Sequence, residues 1–208
     1  MFLFKNYVPE KLSERIFRDL SEKLNPNYFY HNLFHTKRVI KSALKIGSNY
    51  DLNNENWRTL LTASLLHDYG FIESHINHEE IGVKFSSKIL LEYDYNEKTI
   101  ESIKKLILVT KPLAVPKDNL ESIIRDSDLE YLGSKDFENI SEKLKQEWVK
   151  CNVVKNDEEF YNKQLEFLST HQFYTDFMKE NGNIQKEKNI IYAKKKLKEL
   201  SKQFKNKK

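Results

Sequence analysis

Three short stretches of this chain concentrate side chains that can bind cations or move protons. Tyr30-His31-Asn32-Leu33-Phe34-His35 carries two histidines four residues apart, which puts both on one face of a helix. His67-Asp68 follows the apolar run Ala63-Ser64-Leu65-Leu66, and Asp126-Ser127-Asp128 precedes Leu129-Glu130-Tyr131-Leu132-Gly133. His75 and His78 form a further pair at helical spacing. Imidazole and carboxylate together suit a divalent ion such as Mn, Fe, Co, Ni or Zn, whose N and O donors converge from different elements. Taken singly, each of these histidines is explained as well by one structural hydrogen bond, and His67-Asp68 by helix-end chemistry. Their joint order on one chain is what points to a site.

Such residues need rigid elements to bring them together, and the chain is built for helices. Only 5 glycines and 4 prolines occur in 208 residues, too few for a turn-rich β architecture. Leu12, Ile16, Leu20 and Leu24 form one helical stripe between Pro9 and Asn25-Pro26. A second helix is predicted over 33–46, with Val39, Ile40, Ala43 and Leu44 inward and Gly47 beyond its end. A third is predicted over 54–68 through Trp57, Leu60, Leu61, Ala63 and Leu66. The fourth opens at Asn77, with Glu80 at capping-box spacing, and buries Ile81, Phe85, Ile89 and Leu90. Asn96 opens a fifth through Ile100, Ile103, Leu106 and Ile107, closed before Pro112. Asp118 with Glu121 caps a sixth that carries Leu120, Ile123 and Ile124 towards Asp126 and Asp128. Further helices fit 134–150, 156–170 and 183–204. The reading is all-α: one compact helical domain over 1–208, with a motif core at about 30–133 and a C-terminal helical extension at about 134–208.

Composition narrows the function classes. A single cysteine, Cys151, excludes an internal disulfide framework and any multi-cysteine zinc module, and no base lies beside it for a nucleophilic role. No apolar run approaches the roughly 18 residues of a membrane span, and MFLFKNYVPE has too short an apolar part for a signal peptide. A cytoplasmic, soluble protein without membrane partners is expected. The net charge of +4 is unevenly spread: residues 186–208 hold ten lysines against Glu187 and Glu199, a balance of +8, so residues 1–185 carry −4. A nucleic-acid reader usually spreads basic residues over its body. Nucleic acid is therefore not expected as a partner, and the lysines read as a solvated helix face. A homodimer would be in keeping with a helical protein of this kind. No glycine-rich phosphate loop, Ser-His-Asp order or dinucleotide fingerprint is present.

His35, then His67-Asp68, then Asp128 resembles the H…HD…D signature of the HD superfamily of metal-dependent phosphohydrolases, and in particular its small bacterial branch. The flanks are similar too: Tyr30-His31-Asn32, Leu66-His67-Asp68-Tyr69-Gly70, His78-Glu79-Glu80 and Asp128-Leu129…Leu132-Gly133. A weaker likeness continues through Glu147-Trp148 and Phe173-Tyr174-Thr175. The resemblance implies a helical HD-type bundle with His35, His67, Asp68 and Asp128 as ligands of a divalent metal, Mn, Fe, Co, Ni, Zn or Mg. It favours Asp128 over Asp126, because the ligand aspartate of the family is followed by a hydrophobic or basic residue and a helix start. Asp68 could bridge two ions, with His75 and His78 as candidates for the second.

The activity implied is hydrolysis of a phosphoester of a small phosphorylated metabolite, a nucleotide first, by a metal-activated water. Glu79 and Asp68 are the candidates for moving its proton, since capping explains Glu80; Glu79 would equally complement the helix dipole. Arg38, three residues after His35, and Lys111, at Thr110-Lys111-Pro112, are candidate phosphate-binding cations or ordinary surface charges. His31 would contact substrate, hold His35 in its ligating tautomer, or be structural. Three other readings stand beside this one. They are a phosphodiesterase or pyrophosphohydrolase of a signalling nucleotide, a metal-bearing regulatory module that binds nucleic acid or a protein through the basic C-terminal helix, and an HD-like di-iron oxygenase.

Overall fold

Asparagine and aspartate side chains start most of the helices by accepting the amide donors that a first turn leaves open. Asn32 caps α2 (Leu33–Gly47) through Phe34 and His35, and Asn53 caps α3 (Asn54–Leu66). Asn96 caps α5 (Glu97–Leu108), Asp118 caps α6 (Asn119–Asp128) and Asn156 caps α8 (Asp157–Thr170). The remaining helices are α1 (Glu10–Glu22), α4 (His78–Leu91), α7 (Phe137–Lys150) and α9 (Asp176–Lys205). The computed structural model describes residues 4–205, so the first residues of the segment read against a signal peptide, and Lys207 and Lys208 of the basic stretch, lie outside it. The described residues are all-α and contain no strand. None of their helices is long and apolar enough to cross a membrane.

The chain forms two compact units: residues up to Pro26 with His31–Leu129, and Asn27–Tyr30 with the residues from Glu130 on. In the first unit α3 is the central helix, against which α1, α2, α5 and α6 pack. Every residue from Thr59 to Leu66 is buried, so its polar residues need partners within the core. Ser64 donates to the Leu60 carbonyl at 2.8 Å, and Thr62 meets the Tyr95 hydroxyl at 2.9 Å. In the second unit α7, α8 and α9 pack with the 3-10 turn Glu130–Gly133. Glu147, buried on α7, accepts from the Tyr30 amide at 2.8 Å.

Several helix ends differ from the sequence reading, each for a local reason. Gly47 lies inside α2, because the Ser48 amide still donates to the Leu44 carbonyl. Helix α3 stops at Leu66, two residues early, and gives way to a 3-10 turn, Tyr69–Ile72. The capping box at Asn77 does not form: Asn77 is left-handed (φ 55°, ψ 36°) and makes no side-chain cap bond, while Glu80 pairs with Lys111 instead. On α4, Ile81 and Phe85 are only half-buried, and the face that packs on the 3-10 turn carries Gly82 and Ser86. Helix α7 begins three residues later than expected, since Asn189 donates to the carbonyls of Leu132 and Ser134 at 2.8 and 3.0 Å. Helix α9 begins seven residues earlier than expected, its first turn capped by Thr175, which accepts from the Met178 amide. Gly182, just outside the helix expected over 183–204, is needed within it. A Cβ on Gly133 would already stand 2.8 Å from the Gly182 Cα, so the turn and α9 touch backbone to backbone.

Candidate metal centre

Five helix ends of the first unit carry the candidate residues. His35 lies in the first turn of α2 and is buried, its amide held by the Asn32 cap. His67 is the residue that ends α3 and has no exposure at all. Asp68 follows with φ −103° and ψ 9°, outside the helical region, as the chain passes into the 3-10 turn. Consecutive side chains on a regular helix diverge by about 100°. Ending the helix between these two lets them converge instead, with His67 Nε2 3.2 Å from Asp68 Oδ2. Asp128 arrives as the last residue of α6.

The four side chains meet at their tips. His35 Nε2 stands 3.1 Å from His67 Nε2, 3.2 Å from Asp68 Oδ2 and 3.1 Å from Asp128 Oδ1. His67 Nε2 stands 3.6 Å from Asp128 Oδ1. With metal–ligand bonds of about 2.0–2.2 Å, neighbouring ligand atoms stand roughly 2.8–3.6 Å apart in octahedral or tetrahedral geometry. These separations fall in that range, and His35, His67 and Asp128 are placed to hold one ion. Asp68 Oδ2 adds a second observation in favour of a cation: it is buried yet has no well-aligned hydrogen bond. His67 Nδ1 donates to the Ser64 carbonyl at 2.9 Å, which leaves Nε2 as the nitrogen offered to the cluster.

Electrostatics say the same. Burial pushes the Asp68 carboxyl up, but the neighbouring imidazoles, His67 foremost and then His35, hold it well below its usual range. Burial likewise raises Asp128, and the same two imidazoles bring it down. Burial alone would lower the His67 imidazole, yet Asp68 and Asp128 keep it well above its ordinary value. Two carboxylates in one buried pocket require positive charge there.

The other candidates lie in a surrounding ring. His78 Nε2 is 3.5 Å from Asp68 Oδ1 and 3.4 Å from Glu79 Oε1, so Asp68 faces the four-residue cluster with one oxygen and His78 with the other. Glu79 is buried in the first turn of α4. His31 is half-buried and stacks on Phe71 at 4.3 Å, with its ring 5.7 Å from that of His35. Arg38 Nη2 lies 3.0 Å from His35 Nδ1. Lys111 pairs with Glu80 at the rim. His75 is exposed, and only its carbonyl meets His78. Of the two aspartates on α6, Asp128 joins the cluster, and Asp126 is fully buried elsewhere in the core.

Three contributors were not singled out in the sequence. Arg125, buried one turn before Asp128, donates to the carbonyls of Val109, Lys111 and Pro112 and so clasps the end of α5. Its spacing from Asp128 was the available signal. Phe71 supports both His31 and His78, at 4.3 and 4.2 Å. At Gly70 a Cβ would lie 1.9 Å from the His78 carbonyl oxygen, so only glycine lets α4 approach the Asp68 turn.

Residues 32–130 match the HD domain, a stretch that contains all four clustered side chains. That match supports an HD-domain protein. Its fold is similar to that in the crystal structure of a predicted HD superfamily hydrolase from an uncultured Thermotogales bacterium, with a TM-score of 0.60. That similarity covers 94% of this chain and 95% of the other at 16% sequence identity. No curated protein matches the chain in sequence. The HD domain, together with this cluster of imidazoles and carboxylates, supports a metal-dependent hydrolase in the broad sense.

Proposed function

We propose that the protein is a metal-dependent phosphohydrolase that cleaves a phosphoester of a small phosphorylated metabolite, a nucleotide first among them. The observation that carries this reading is the meeting of His35, His67, Asp68 and Asp128 at separations of 3.1–3.6 Å between imidazole nitrogens and carboxylate oxygens. These four residues would hold a divalent ion, which supplies Lewis acidity towards a phosphoryl oxygen and lowers the pKa of a water to about 7.

The chain's own residues supply the rest. Ser64 keeps His67 in its ligating tautomer. Asp68 faces the other ligands with one oxygen and His78 Nε2 with the other, and Glu79 Oε1 meets the same His78 nitrogen. That line from Asp68 through His78 to Glu79 gives a proton removed from the attacking water a way out of the centre. It also gives His78 a role that needs no second ion. The Arg38 guanidinium is suited to two phosphoryl oxygens at once, and Lys111 stands at the rim where a phosphate would enter. The buried walls exclude bulk water, which strengthens each of these contacts.

Elemental analysis of untagged protein beside Asp68→Asn tests the reading, followed by a screen of nucleotides and p-nitrophenyl phosphate with the metal found. About one equivalent of metal in the native protein, lost with turnover in the folded variant, is the expected result. Full metal and full phosphoester hydrolysis in Asp68→Asn would remove the assignment.

A further inference from the structure

The two imidazoles of the cluster are set up in opposite ways. His67 donates from Nδ1 to a carbonyl, which can only accept, so the nitrogen it offers a cation is Nε2, the one that faces the other ligands. His35 has Arg38 Nη2 3.0 Å from its Nδ1. A guanidinium has N–H donors and no acceptor, so His35 Nδ1 accepts there, and the single proton of the neutral ring belongs on Nε2. Of the three atoms beside that nitrogen, Asp128 Oδ1 at 3.1 Å and Asp68 Oδ2 at 3.2 Å are acceptors for its proton, and the third is His67 Nε2 at 3.1 Å. Arg38 therefore favours the tautomer of His35 that does not bind a cation.

A cation on His35 Nε2 reverses the preference. The ring keeps one proton, but that proton must lie on Nδ1, where it points at an Arg38 N–H, donor against donor. The guanidinium then has to leave Nδ1. It is half-buried, on the same helix and one turn from a ligand, so its natural destination is an anion bound at the same centre.

We infer that Arg38 serves two ligands in turn: it rests on His35 until a cation takes Nε2, and it then moves to the phosphoryl group. The consequence is a coupling of the two binding events. Displacing Arg38 from His35 costs free energy once, and both the cation and the phosphate gain from it, so each strengthens the other by the same factor. The inference rests on the cation reading given above and adds to it the order in which the site assembles.

Calorimetric titration of the full chain with Mn²⁺, and with Zn²⁺ in parallel, with and without inorganic phosphate, tests it without any turnover. In the native protein phosphate should tighten Mn²⁺ binding within the range of about 5–150-fold typical of such couplings. Arg38→Met keeps the stem and removes the donors. Arg38→Gln can turn its amide oxygen to accept from Nδ1. Both variants should bind Mn²⁺ alone several-fold more tightly than the native protein and lose most of the phosphate effect. Two variants guard against one that fails to fold, which circular dichroism would reveal. Variants that bind Mn²⁺ no more tightly than the native protein, or that keep the full phosphate effect, overturn the inference alone. A native protein that takes up neither ion overturns the cation reading and this inference with it.

Discussion

Gly70 and Gly82 face each other across the contact between the 3-10 turn and α4, and the structure separates their roles sharply. A Cβ on Gly70 would lie 1.9 Å from the His78 carbonyl oxygen and 2.8 Å from the Gly82 amide nitrogen. All of these are backbone atoms, so no side chain can swing away. Reaching the 3.0 Å below which Cβ contacts are essentially unknown requires the turn and the first turn of α4 to separate by about 1.1 Å. Overpacking of this kind costs about 3 kcal/mol or more, equivalent to a fall in Tm of roughly 6–12 °C for a chain of this size. His78 and Glu79 sit on the element that moves, and a displacement of about 1 Å near the reacting atoms can cost about 100-fold in turnover.

Gly82→Ala is the internal control. Its Cβ would meet atoms at 3.4, 3.7 and 3.8 Å, ordinary van der Waals contacts, and alanine is better than glycine inside a helix by about 1 kcal/mol. Thermal unfolding followed by circular dichroism, with phosphoester turnover measured on the same samples, compares the two. Gly70→Ala should melt well below the native protein and lose most of its turnover, and Gly82→Ala should melt at or above the native temperature. Equal melting temperatures for the two variants, or a Gly82→Ala that falls as far as Gly70→Ala, would refute the argument that backbone contact at residue 70 sets the position of α4.

Two further outcomes follow from the cluster. Protein treated with a chelator should lose stability as pH rises from about 6.5, because the raised pKa of His67 gives stability that is complete below its unfolded value and disappears as the folded value is passed. On the acid side, the lowered carboxyls of Asp68 and Asp128 give stability present above about 3.8 and lost as pH falls further. Melting curves across pH, repeated on His67→Gln, check both limbs, and the alkaline one should vanish in that variant. Asp128→Asn should fail to retain metal, whereas Asp126→Asn should retain it and melt lower, by the cost of disturbing a fully buried carboxylate, about 1–3 kcal/mol. Elemental analysis and melting of both variants would reverse the choice between the two aspartates if Asp126→Asn were the one to lose metal.

Local chemistry was legible wherever a short segment decides its own state. The stripe Leu12, Ile16 and Leu20 is buried on α1, and Asp118 caps α6 as its spacing implies. The His35, His67-Asp68 and Asp128 order, through its likeness to the HD signature, named residues that the fold brings together. Expectations failed where a distant backbone intervened. Asn77 makes no cap because the chain must turn left-handed there to bring His78 against Gly70. Residues 176–182 are helical although the sequence reading begins that helix only at 183, and Gly133 and Gly182 meet there backbone to backbone.

The sequence by itself determined the helical class and several of the caps, since periodicity and capping depend on residues a few positions apart, and its likeness to the HD signature named the side chains of the cluster. Only the tertiary structure decided which residues meet. It set the convergence of His67 and Asp68 through the end of α3 and the placing of His78 beside Glu79. It also left His75 in solvent, diverted Glu80 to Lys111 and set Arg125 on three carbonyls of another segment. The physical reason is range. Each of these turns on a contact of a few ångströms between helix ends far apart in the chain, and no local pattern carries that distance.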